Sequence, residues 1–129
     1  MYCMFYFCTS LTSLNVSNFY TSKVQKMAGM FQGCTSLLYL NLSNFVTSQV
    51  TEMNTMFGDC WSLTSIDLSN FDTNTVNHIY FLFEHCINLE YINIKNFNEN
   101  RYINYYTMFD HVVDNVVICV NPNKISTKL

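Results

Sequence analysis

The sequence predicts an α/β solenoid: a stack of 26-residue turns with one short parallel strand and one short helix in each, and about five strands in all. Three observations lead there. Cys8, Cys34, Cys60 and Cys86 are each 26 residues apart, as are Phe19, Phe45, Phe71 and Phe97, and Asn18, Asn44, Asn70 and Asn96. Within each unit one half alternates apolar and polar residues, as a half-buried strand does. The other half spaces its apolar residues by three and four, as an amphipathic helix does. No such unit can bury its apolar side alone, so the units must stack.

In register the units are 9–34, 35–60, 61–86 and 87–112. Residues 1–8 read as the tail of a truncated upstream repeat, because Met4-Phe5-x-x-Cys8 matches Met30-Phe31-x-x-Cys34. Residues 113–129 read as a terminal half-repeat and polar tail. Each unit opens on apolar positions followed by Asn-Phe: Leu11, Leu14, Val16; Leu37, Leu40, Leu42; Leu63, Ile66, Leu68; Leu89, Ile92, Ile94. Strands are expected near 13–16, 39–42, 65–68 and 91–94, with Val116 to Val120 as a fifth. Parallel strands lie about 4.8 Å apart, so equivalent residues form columns through one core.

The helical stripes are Val24, Met27, Met30, Phe31, Cys34 and their counterparts at Val50, Met53, Met56, Phe57, Cys60 and Val76, Ile79, Leu82, Phe83, Cys86. The fourth runs Tyr102, Tyr105, Met108, Phe109, with Val112 in place of the cysteine. Ser22, Ser48, Asn74 and Asn100 precede the stripes, where N-caps belong. The asparagine column should satisfy backbone groups of the adjacent turn at a sharp bend.

Composition narrows the function. With 12% charged residues and a net charge of −3, an electrostatic grip on nucleic acid is not expected. No stretch approaches the ~18 apolar residues of a membrane span, so no membrane insertion is expected. There is no Gly-rich phosphate loop, the only glycines being Gly29, Gly33 and Gly58, and no nucleophile–base pair converges. A non-catalytic chain without a cofactor is the reading.

The cysteine column reads as core thiols, since parallel-stacked side chains point the same way and cysteine is commonly buried as a small hydrophobe. Cys119 should face the exposed side of the last strand. His85 and His111 are in phase, as are Glu84 and Asp110, so the four form a weak metal candidate against a simpler reading as a solvated surface at helix ends. The exposed strand face carries the best candidates for function. Its proposed contacts are Tyr39, Asp67, Tyr91 and Asn93, with Ser13, Asn15, Asn41 and Ser65 around them. Tyr, Ser and Asn make adaptable, wet recognition surfaces.

The segments L-T-S-I-D-L-S-N-F-D-T from Leu63 to Thr73 and M-F-x-x-C-x-S-L from Met56 to Leu63 resemble the leucine-rich repeats of the BspA-like surface-protein family, over nearly the whole chain. That resemblance implies a leucine-rich-repeat solenoid on the cell surface or secreted, adhering to a host, matrix or neighbouring-cell protein. The alternative is an intracellular scaffold with the same fold. Apolar Met1, Tyr2, Met4, Phe5 and Phe7 further suggest end-to-end self-association through an uncapped first turn.

Overall fold

The computed structural model of the chain describes residues 1–98 and 105–123. The cap expected at Asn100, the stripe position at Tyr102 and the tail beyond 123 lie outside the described residues. Strands β1 (Ser65–Asp67), β2 (Tyr91–Asn93) and β3 (Val117–Cys119) form a parallel sheet in the order β1-β2-β3. Ser65 pairs with Tyr91 and Tyr91 with Val117, a shift of 26 residues at each step. Across the coil, Lys26, Glu52 and His78 are joined by parallel bridges at the same interval. The 26-residue step is therefore the stacking step.

Columns fill the interior. Phe5, Phe31, Phe57, Phe83 and Phe109 lie ring over ring, with centroids 5.6–5.8 Å apart and planes within 9° of parallel. Phe45 and Phe71 make a second pair at 6.4 Å. Met27, Met53, Leu63, Leu68, Ile92 and Ile94 close the core around them, all buried. Each fully buried side chain of this size contributes roughly 1.5–3 kcal/mol through the area it removes from water.

The expected helix-and-strand leucine-rich-repeat solenoid is not what the chain forms. Three strands are present among the described residues rather than about five, and the segments near 13–16 and 39–42 stay outside the sheet. The three described stripes from Val24, Val50 and Val76 are not helices, and α1 is a single turn, Tyr105–Met108. The reason lies in where the amide protons go. Met27, Gly29, Phe31 and Gly33 donate to the carbonyls of Glu52, Asn54, Met56 and Gly58 in the next coil. The intervening Met30, Gln32 and Cys34 donate three residues back, to Met27, Gly29 and Phe31. An α-helix needs every amide to reach four residues back, and here alternate amides are committed to the neighbouring coil.

Backbone conformation follows the same scheme. Gly29 and Gly33, with φ of 61° and 74°, are third in the turns Met27–Met30 and Phe31–Cys34. That is the position at which a type II turn requires positive φ. Thr55, Asp59, Phe81, His85 and His111 repeat the geometry with φ between 52° and 57°. A column of left-handed residues cannot occur inside a right-handed helix. Because the three stripes they precede are not helices, Ser22, Ser48 and Asn74 are exposed turn residues and cap nothing.

The bends are as the Asn-Phe pairs suggest. Phe45 N–H donates to Leu42 O and Phe71 N–H to Leu68 O, each at 2.9 Å. The Asn44 amide donates across to Val16, Ser17 and Phe19 carbonyls, and the Asn70 amide to those of Leu42, Ser43 and Phe45. The Asn96 amide reaches Ser69 O in the same way. A second polar column was not foreseen. Thr21, Thr47 and Thr73 are buried. The Thr47 hydroxyl donates to Asp72 O at 3.0 Å and accepts from Asp72 N–H at 2.8 Å, clamping one coil to the next.

Candidate functional site

The strand face is a ribbon of parallel rows, each advancing one coil per residue. Alternation along the strand sends Ile66 and Ile92 into the core and leaves Ser65, Asp67 and Tyr91 outside. Ser13, Tyr39, Ser65, Tyr91 and Val117 make the first row, with Tyr39 62% and Tyr91 39% exposed. The next row is Asn15, Asn41, Asp67, Asn93 and Cys119.

That second row serves the fold as well as the surface. Asn15 and Asn41 each accept a hydrogen bond at 3.0 Å through Oδ1 from the N–H two residues on, at Ser17 and Ser43. Asp67 does the same for Ser69 at 2.8 Å and Asn93 for Lys95 at 3.2 Å. These are side-chain turns that bend the strand toward Asn-Phe. Asn93, expected as an exposed contact, is buried at 8% exposure, because β1 and β3 flank it on both sides. It belongs to the support of the face rather than to its contact set.

Partial burial acts to raise the Asp67 carboxyl pKa. The Ser69 hydroxyl and amide, the Asn93 side chain and the charge of Lys95 outweigh it and hold the group below the usual carboxylate value. A fixed negative charge thus sits mid-ribbon. The Tyr91 phenol is shifted up by desolvation, then by the neighbouring Cys119 thiol and by Asp67.

Two shallow depressions, of about 350 and 370 Å³, flank Tyr39. The first is lined by Ser13, Asn15, Ser17, Asn41 and Ser43, the second by Asn41, Ser65, Asp67, Asn70 and Tyr91 among others. The first lies over the segments 13–16 and 39–42, which remain outside the sheet, and the second lies between 39–42 and β1, reaching Tyr91 of β2. The structure therefore brings seven of the eight sequence-chosen residues onto one open face, arranged around a protruding tyrosine.

The conspicuous columns elsewhere are structural. Cys34, Cys60 and Cys86 are buried free thiols whose sulfurs donate to the carbonyls of Phe5, Phe31 and Phe57 at 3.1–3.2 Å. Burial pushes the Cys34 thiol up to about 11 and that of Cys86 to about 12, and raises Cys60 further. Such thiols are unreactive at neutral pH. Cys8, expected as a core thiol of the same column, is instead exposed at the N-terminal end of the stack, and Cys119 is half-buried at the end of the ribbon.

The four-residue metal candidate is not assembled as expected. His85 and His111 do meet, with ring centroids 4.7 Å apart. Glu84, however, forms no ion pair with either imidazole among the described residues, and Asp110 pairs with its own neighbour His111 at 3.2 Å. Asp59, one step earlier in the same column, takes the other place, its Oδ1 3.2 Å from His85 Nδ1. The 26-residue step from Asp59 to His85 was the signal for it. Among the described residues no group of three or more His, Cys, Asp or Glu converges as a metal site.

A stack of repeat coils presenting an open polar-aromatic face is the class that fold and surface define. The chain belongs to the family described as "Mycoplasma protein of unknown function, DUF285", which matches residues 1–117. No curated protein and no solved structure matches it. No helix among the described residues is long and apolar enough to cross a membrane.

Proposed function

We propose that the protein is a non-catalytic interaction module that holds a protein partner on its strand face. The observation that carries this reading is the pair of depressions on either side of exposed Tyr39, open to solvent and edged by hydroxyl, amide and carboxylate groups. A tyrosine presents a large rigid contact at low entropic cost, and the surrounding Ser and Asn adapt to a partner's polar groups. Tyr91 closes the far side of the second depression, and Asp67 gives it a negative centre. By its resemblance to BspA-like surface proteins, the partner is a host, matrix or neighbouring-cell protein, and the working place of the chain is the cell surface or its exterior.

Surface plasmon resonance against immobilised extracellular-matrix proteins tests this. Tyr39→Ala combined with Tyr91→Ala should weaken binding about tenfold or more, as the loss of an aromatic anchor does. Tyr20→Ala, at a residue 94% exposed but outside the ribbon, should leave it unchanged. Equal binding by parent and double variant would sink the assignment of the strand face.

A further inference from the structure

Away from the strand face, the column Asp59, His85, His111 occupies one position of three successive coils. The three residues share the left-handed backbone, with φ of 56°, 57° and 55°. The coils are tied beneath them: Asp59 N–H donates to Glu84 O at 2.8 Å and His85 N–H to Asp110 O at 3.1 Å. On this fixed base the imidazoles stand 4.7 Å apart with their planes at 41°. Each ring meets a carboxylate through the same atom. Asp59 Oδ1 is 3.2 Å from Nδ1 of His85, and Asp110 Oδ1 is 3.2 Å from Nδ1 of His111.

A carboxylate at Nδ1 holds the proton there and leaves Nε2 with its lone pair free. This is the arrangement that outer-shell carboxylates impose on metal-binding histidines, setting the tautomer and raising ligand basicity. Both side chains are open to solvent, with 43% and 64% of their surface exposed. We propose that His85 and His111 form a two-imidazole site for a divalent first-row transition-metal ion, with water in the remaining positions. Asp59 and Asp110, each held at an imidazole Nδ1, are positioning residues and not ligands. Imidazole donors favour copper, nickel and zinc over magnesium or calcium.

Isothermal titration of the reduced full chain with Ni²⁺ tests the site. One ion per chain is expected, with affinity at least tenfold lower in His85→Ala and in His111→Ala. Asp59→Ala should lower affinity by roughly 10–100-fold and shift the His85 ring-nitrogen NMR signals away from the Nδ1–H tautomer. Absence of saturable heat in the parent overturns the proposal. So does binding that survives both histidine substitutions, which would place the ion on the more accessible thiols, exposed Cys8 or half-buried Cys3 and Cys119. Unchanged affinity and ring-nitrogen signals in Asp59→Ala overturn the positioning role. Far-UV circular dichroism of each variant separates loss of a ligand from loss of the fold.

Discussion

At the scale of single residues, much of the stability rests on unusual backbone positions and on groups kept neutral. Gly33 sits at φ 74°, and a β-carbon there would lie 2.8 Å from the Phe7 ring. The exposed Phe7 side chain can move, but the left-handed strain stays. Gly33→Ala should therefore cost about 1–2 kcal/mol, read as a lower urea midpoint. The buried thiols add a pH dependence with a definite sign. Cys34 and Cys86 are raised from 9.0 to about 11 and about 12 because the folded core disfavours thiolate. Above pH 9 the unfolded chain loses protons that the folded one keeps, so folding stability should fall steadily between about pH 9 and 12. Urea melts across that range should show the slope, and a Cys34→Ala, Cys60→Ala, Cys86→Ala variant should show less of it. Spacing alone picked out the buried Cys34, Cys60 and Cys86, but it also placed Cys8 among them, which is exposed. Asp59 and the threonines were not picked out, although they obey the same period, because one member of a polar column looks like any other surface residue until its burial is known.

At the scale of elements, the coils are held by side chains that complete a neighbour's backbone. The Thr47 hydroxyl both donates to and accepts from Asp72. Thr47→Val keeps the shape and strands the part-buried N–H and C=O of Asp72, which should cost about 1–2 kcal/mol in chemical denaturation. The helix is where sequence and structure part at this scale. Apolar residues at Met27, Met30, Phe31 and Cys34 fit a helical stripe, yet successive three-back turns place the same spacing on one side of a coil. Periodicity reports which side chains face inward, and a turn that closes at three residues or at four gives nearly the same answer. What separates them is the partner of each amide, a tertiary property.

For the whole molecule, stability is a sum over neighbouring coils. Phe31, Phe57 and Phe83 have a Phe ring stacked on both sides and are fully buried, whereas Phe5, Leu11 and Leu14 at the N-terminal end of the stack are only partly so. Native-state hydrogen exchange should therefore protect the amides of Phe57 and Asp59 far better than those of Leu11 and Phe19; equal protection would mean that the chain opens as one unit. By itself the sequence determined the 26-residue step, the inward columns of Phe, Met and Cys, the Asn-Phe bends and the row of outward residues that makes the strand face. These follow from a period that any stack must obey. Only the tertiary structure decided that the stripes from Val24, Val50 and Val76 are turns rather than helices, that Asn93 is covered, that Tyr39 stands between two open depressions, and that Asp59 rather than Glu84 meets His85. Each of those depends on which backbone or side-chain group of the adjacent coil lies opposite, and that choice is made across coils, beyond the reach of spacing within one.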